Sequence, residues 1–169
     1  MDTSRLVDFL SDPETGLHTP EYFGLRLPEE FEKARRYGWV SSLLVLDIHG
    51  LDALLEREGL AAVASLWLDI GSAILTNSRV GDLPARLNGD RLGVLLAGTE
   101  VEGARTMVQR VMSEVVERLP EGVSLGAGLS EMPRAGLDSF EDLLARACRG
   151  VEIAASQGAN QLVTWTAPA

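Results

Sequence analysis

Leu83-Pro-Ala-Arg-Leu-Asn88-Gly89-Asp90-Arg91-Leu-Gly-Val-Leu-Leu96 is the stretch that decides the fold. Two strand-like runs, Leu83 to Leu87 and Arg91 to Leu96, flank Asn88-Gly89. That dipeptide is the strongest short-range signal for a two-residue hairpin, because both central residues must adopt positive φ. A hairpin here interrupts what is otherwise an alternation of helices and strands, and so argues against a purely parallel sheet.

Working outward, a helix from about Glu102 to Leu119 carries Ala104, Val108, Val111, Met112, Val115 and Leu119 on one side, and Pro120-Glu-Gly122 ends it. A strand over 122–130 follows. Asp138 and Glu141 have capping-box spacing before a helix to about Ser156, stopped by Gly158, and Gln161 to Thr166 forms a last strand. Upstream of the hairpin, Gly50 to Glu58 is a short helix broken by Gly59. A second helix reaches Asn77 with Val63, Leu66, Trp67, Ile70 and Ile74 on one face. Trp39 to Asp47 is a strand whose continuous Leu-Leu-Val-Leu core requires burial on both sides, hence a central place in the sheet. Residues 20–37 are helical, with Pro28 either starting or kinking the helix. The resulting expectation is an α+β fold with one central five-stranded, mixed but mostly antiparallel sheet covered by helices, as in ferredoxin-like palms. It occupies residues 1–169 as a single domain, with residues 1–11 as a lead.

The 169 residues are 46% hydrophobic and 24% charged, the composition of an ordinary globular domain. Fifteen Lys+Arg against 25 Asp+Glu give a net charge of −10, which disfavours nucleic-acid polymers and anionic membrane surfaces. The single cysteine, Cys148, excludes an intrachain disulfide and multi-thiolate zinc sites. The acidic start lacks the basic and apolar regions of a signal peptide, and Ser65, Asp69 and Ser72 interrupt the apolar segment Gly59 to Leu75. A cytoplasmic chain without membrane insertion is expected. The only lysine, Lys33, has no glycine-rich turn beside it, which removes a Walker-type phosphate loop. His18 and His49 are too far apart for a helical two-histidine metal motif. Gly122-Val-Ser124-Leu-Gly126 fits G-x-S-x-G, but no helix follows the serine and no histidine comes later, so Ser124 reads as a strand residue. Trp67, Trp165 and Cys148 read as core.

Asp47 ends the central strand and Asp90 follows the Asn-Gly turn, so both carboxylates can reach one edge of the sheet, where such a pair suits Mg²⁺. Strand-end capping, or ion pairing with Arg86 or Arg91, explains the same residues, and spacing alone favours this plainer reading.

Taken together these segments resemble the GGDEF domains, which condense GTP into cyclic di-GMP. Asp12-Pro-Glu-Thr15-Gly16-Leu17 looks like the family's D-x-L-T-G-L, and Leu46-Asp47-Ile48-His49 its L-D-x-D. Asn88-Gly89-Asp90-Arg91-Leu92 stands at the signature, Val123-Ser-Leu-Gly126 resembles the S-I-G strand, and Gln157-Gly158-Ala159-Asn160 the G-R-N terminus. The order and intervals of these matches, from roughly Asp12 to Trp165, carry the resemblance. It implies metal ligation by Asp47 and Asp90. The departures are Arg91 at the fourth signature position, His49 and Asp52 at an acid and a lysine, Leu55 and Ala64 at the guanine-reading positions, and Ala155 and Ala159 at the phosphate-gripping ones. On these grounds the expectation is a domain that is not an enzyme, a degenerate cyclase. It requires no cofactor, and Mg²⁺ is bound weakly at most by Asp47 and Asp90.

The resemblance also implies an inhibitory-type site. Its R-x-x-D reads Arg79-Val-Gly-Asp82, five residues ahead of the signature, and Arg110 looks like the further arginine that completes it. Arginine forks bind phosphate bidentately and stack on guanine, while a carboxylate accepts from the guanine N–H edge. The expected function is therefore a cyclic di-GMP receptor acting on a protein partner or homodimer. The alternatives are a nucleotide-independent interaction or dimerisation module, and a weak metal-dependent GTP or ATP binder or hydrolase.

Overall fold

The computed structural model describes residues 10–132 and 139–165. In chain order the elements are α1 (Pro20–Tyr37), β1 (Ser41–His49), α2 (Leu51–Glu58), α3 (Leu60–Asn77), β2 (Leu83–Arg86), β3 (Arg91–Leu96), α4 (Val101–Val116), β4 (Ser124–Met132), α5 (Phe140–Gln157) and β5 (Gln161–Trp165). The five strands lie in the order β2-β3-β1-β4-β5. β1 is antiparallel to β3 and β4, β2 is antiparallel to β3, and only β4–β5 is parallel. This is the expected mixed α+β sheet, with β1 at its centre because Leu43, Leu44, Val45 and Leu46 are buried on both faces.

Side-chain alternation along β1 assigns the two faces. Leu44, Leu46 and Ile48 pack with Leu66, Trp67 and Ile70 of α3 and Val108 and Val111 of α4. Leu43 and Val45 pack with Phe23 and Leu27 of α1 and Leu143, Ala147 and Val151 of α5. Asp47 has the parity of Leu43 and Val45 and so belongs to the α1/α5 face. The outer edge of β2 is covered by the N-terminal segment: the His18 N–H donates to Pro84 C=O at 3.0 Å and Arg86 N–H to His18 C=O at 2.8 Å.

Several local expectations are corrected. The Asn88-Gly89 connection is not a two-residue turn. Leu87 N–H donates to Arg91 C=O at 2.9 Å, which leaves a three-residue loop over 88–90, and only Gly89 takes positive φ, at 71°. A longer loop needs fewer left-handed positions. Pro28 does not start α1 but lies inside it. The helix starts with Pro20 in its first turn behind the Thr19 cap, whose side chain accepts from Tyr22 N–H, and continues past Pro28. The capping box of α5 is Ser139–Asp142 rather than Asp138–Glu141, and Asp138 lies outside the described residues, as does Thr166 at the expected end of β5. Trp67 is buried at 3% exposure, but Trp165, on the edge strand, is 38% exposed and is not core. Cys148 is only half-buried. Among the described residues one helix, α3, is long and apolar enough by length and composition to cross a membrane, contrary to the expectation from its interruptions. In the fold its inward side supplies Leu66, Trp67, Ile70 and Ile74 to the core.

Candidate ligand cleft and strand-end carboxylate

The turn between α3 and β2 is built by Asp82. Its Oδ2 accepts from Arg79 main-chain N–H at 2.7 Å, and its own N–H donates to Arg79 C=O at 3.0 Å. Asx side chains close such turns at little cost because the acceptor sits on the turn itself. Burial pushes the Asp82 carboxyl above its usual range, and the main-chain bond and charge of Arg79, with the nearby Ala97 main chain just past β3, oppose that shift without cancelling it.

Arg110 projects from the outer part of α4, and Arg79, Asp82 and Arg110 line one cleft of about 210 Å³. Asn77, Thr99 and Thr106 line it too. The sequence reading missed these three, because they come from a helix end, a loop and a helix and share no local motif. Asn77 Nδ2 donates to Ala73 C=O at 2.9 Å and to Glu114 Oε1 at 3.2 Å, bringing an acid to the cleft's neighbourhood. Two guanidiniums, an acceptor carboxylate and hydroxyl and amide groups in one recess suit a ligand that combines phosphate with a heterocyclic hydrogen-bonding edge.

On the other face of the sheet, Asp47 and Arg91 are direct cross-strand partners in the β1–β3 register. Arg91 Nε lies 3.2 Å from Asp47 Oδ2, with side chains 35% and 16% exposed. Burial is the strongest single influence and works against the Arg91 charge, but the hydrogen bond and charge of Asp47, with smaller contributions from Cys148 and Glu152, together hold the guanidinium above its ordinary pKa. Asp90 reaches the same strand end through its main chain: its carbonyl accepts from Ile48 N–H at 3.0 Å, while the residue itself is exposed. The resemblance read from the sequence implies Mg²⁺ at this strand end, on Asp47 and Asp90. The residues present do not fit such an ion, because a guanidinium already engages the Asp47 carboxylate. In addition, no group of three or more His, Cys, Asp or Glu able to hold a metal occurs among the described residues.

The other positions singled out by the resemblance lie around this end of the sheet. Leu55 is 44% exposed, and Asp52, Ala64, Ala155 and Ala159 are exposed. His49 Nε2 is buried without a hydrogen-bond partner.

Comparison with known proteins agrees with this architecture. The family model described as "Diguanylate cyclase, GGDEF domain" matches residues 9–161. The chain is 26% identical over 162 residues to the response regulator PleD of Caulobacter vibrioides, covering 91% of this chain and 36% of PleD. It is 26% identical over 159 residues to the diguanylate cyclase DgcP of Pseudomonas aeruginosa, covering 90% of this chain and 23% of that protein. It is also 35% identical over 74 residues to the probable diguanylate cyclase DgcE of Escherichia coli, covering 44% of this chain and 7% of that protein. The chain thus spans only a minor part of these relatives. Among solved structures, the coiled coil and GGDEF domain of DgcB from Caulobacter crescentus in complex with c-di-GMP superposes with a TM-score of 0.89 at 17% identity, covering 96% of this chain and 89% of that one. The diguanylate cyclase SiaD of Pseudomonas aeruginosa, solved with its activator SiaC, gives 0.82 at 23% identity, covering 98% and 65%.

These relatives correct one expectation. The substitutions at Arg91, Asp52, Leu55, Ala64, Ala155 and Ala159 led to a reading of the chain as a non-enzyme, yet the family and several named relatives are cyclases. Side-chain losses counted along a sequence do not measure turnover, and the non-enzyme reading is withdrawn. With its sheet order, its strand-end Asp47 and its signature loop in place, the chain belongs to the diguanylate cyclase GGDEF domain family.

Proposed function

We propose that this chain is a cyclic di-GMP-responsive signalling domain, working as one unit over residues 1–169 behind the lead 1–11, that takes the dinucleotide in the cleft of Arg79, Asp82 and Arg110. The observation that carries the reading is the convergence of those three side chains from the α3–β2 turn and α4 on one recess. A phosphate there meets guanidinium forks, and Asp82 keeps the turn that presents Arg79 in shape. The resemblance to GGDEF structures solved with c-di-GMP supports the choice of ligand. In the cytoplasm, occupancy shifts association with a protein partner or with a second copy of the chain, through whichever state holds the nucleotide better.

Calorimetric titration of cyclic di-GMP into the wild-type chain, Arg79→Ala and Arg110→Ala tests this. Loss of one charge-assisted fork weakens binding by about tenfold or more in each variant. Equal heats in all three proteins, or none in the wild type, overturn the reading.

A further inference from the structure

We propose that the cleft between α1, α5 and the 88–90 loop is a second binding site, for a small planar organic anion whose carboxylate or phosphate sits on Arg91. This cleft has a volume of about 290 Å³ and lies on the α1/α5 face of the sheet, opposite the face of the Arg79 cleft. Its walls are apolar and partly aromatic, with Phe23, Leu27, Leu87, Phe140 and Leu144 among the lining residues. A recess so lined, with few polar groups, is the usual form of a small-ligand site.

Its charged group is Arg91, with Asn88 also in the lining, and the local structure is organised to present the guanidinium. Strand alternation and the Asp47–Arg91 register put both side chains on the α1/α5 face. Asp47 engages the guanidinium through Nε, the inner nitrogen, at 3.2 Å. The terminal nitrogens of the fork are therefore those that a ligand meets, and a planar fork anchored at one edge is pre-organised for bidentate contact at the other. Cys148 lines the same cleft, close enough to Arg91 for the two side chains to influence each other. Gly93 leaves room for the Leu87 side chain to fold over β3, since a Cβ there would lie 3.0 Å from Leu87 Cδ1. The Asp47–Arg91 pair carries no net charge and the Glu152 carboxylate acts on the guanidinium as well, so an anion is held by the N–H donors of the fork and not by an excess of positive charge in the lining.

The site is independent of the Arg79 cleft, and its test leaves that cleft intact. The full chain is titrated calorimetrically with 2-naphthoate, 2-naphthyl phosphate and the uncharged 2-naphthamide, and Cys148 alkylation by N-ethylmaleimide is timed with and without each. One or both anions bind at least about tenfold more tightly than the amide. The same anion slows Cys148 alkylation, and Arg91→Gln removes its advantage over the amide. Leu144→Trp, which fills the cleft and keeps Arg91, abolishes binding of all three probes, so the test stands even if Arg91→Gln folds poorly. Equal affinity for the anions and the amide, absence of binding, or alkylation unaffected by a bound anion overturns the proposal. Titration of cyclic di-GMP into Leu144→Trp gives the wild-type result whenever the Arg79 cleft works, so the two readings fail separately.

Discussion

The guanidinium carbon of Arg86 lies 3.6 Å above the ring centroid of Trp67. Arg86 ends β2, the edge strand and the first of the hairpin, Trp67 is a core residue of α3, and the same guanidinium reaches Glu14 at 2.9 Å and Asp12 at 3.9 Å. One side chain thus ties the 12–17 turn to both the sheet and a helix. That turn is closed by Thr15, whose N–H and hydroxyl both donate to Asp12 Oδ2, at 2.9 and 2.6 Å. We predict that Arg86→Ala lowers unfolding stability by roughly 1–3 kcal/mol, mainly through the partly desolvated cation–π contact. Arg86→Lys recovers only part, because an ammonium keeps the charge but not the planar stack. Urea denaturation of the three proteins measures both effects.

At the other end of the molecule, α5 lies almost on the backbone of β4. A Cβ on Gly128 would stand 1.9 Å from Ala147 C=O oxygen, and one on Gly150 would stand 2.9 Å from Gly128 Cα. These contacts are backbone against backbone, so no side chain can swing away. Gly128→Ala is expected to displace α5 and cost about 3 kcal/mol or more. The midpoint of thermal unfolding, compared with that of Gly24→Ala, where nothing lies within 4 Å, reports the difference.

The start of α5 makes a pH-dependent prediction. Hydrogen bonds from the main chain and then the side chain of Ser139 hold the Asp142 carboxyl below its ordinary range. A depressed carboxyl contributes stability that is present above its unfolded-state pKa and is lost as pH falls through the folded value. Ser139→Ala keeps the main-chain bond and loses the side-chain cap, so it is less stable than wild type near neutral pH, and part of that difference disappears in acid below the usual aspartate range. Chemical denaturation at several pH values checks the sign.

Arg91 is the internal cation of Asp47, and reversing its charge turns the pair into two facing carboxylates. Arg91→Glu is expected to be destabilised in chelator and to regain thermal stability with millimolar Mg²⁺, because opposed acids at one strand end suit a hard cation. The wild-type melting temperature is expected to be unmoved by Mg²⁺. An equal rise in both proteins would count against the Asp47–Arg91 pair as the reason the site does not fit the ion.

The elements were legible wherever one periodicity ran long enough. The apolar run of β1 announced a central strand, and the one-sided faces of α3 and α4 placed them on the sheet, since burial on one side leaves a period that a single sequence displays. Boundaries and turns were less legible. Asn88-Gly89 favours a two-residue turn locally, but the β2–β3 register set by the packed faces leaves three residues to connect. Trp165 looks like any core aromatic along the chain, and only its place on the outermost strand exposes it.

The candidate sites divide in the same way. Residue identity at Arg79, Asp82, Asp47 and Arg91 could be read directly, as could the chemistry that guanidinium and carboxylate groups offer. What lay beyond the chain's linear order was which charges meet. Asp82 closes a turn on the main chain of Arg79, Arg110 shares a cleft with Arg79 across two elements, and Arg91 rather than Asp90 faces Asp47. Local patterning fixes helices and strands because their repeats span a few residues. Pairing between distant charges depends on strand register and on which face each side chain takes, and those are settled only when the whole sheet packs.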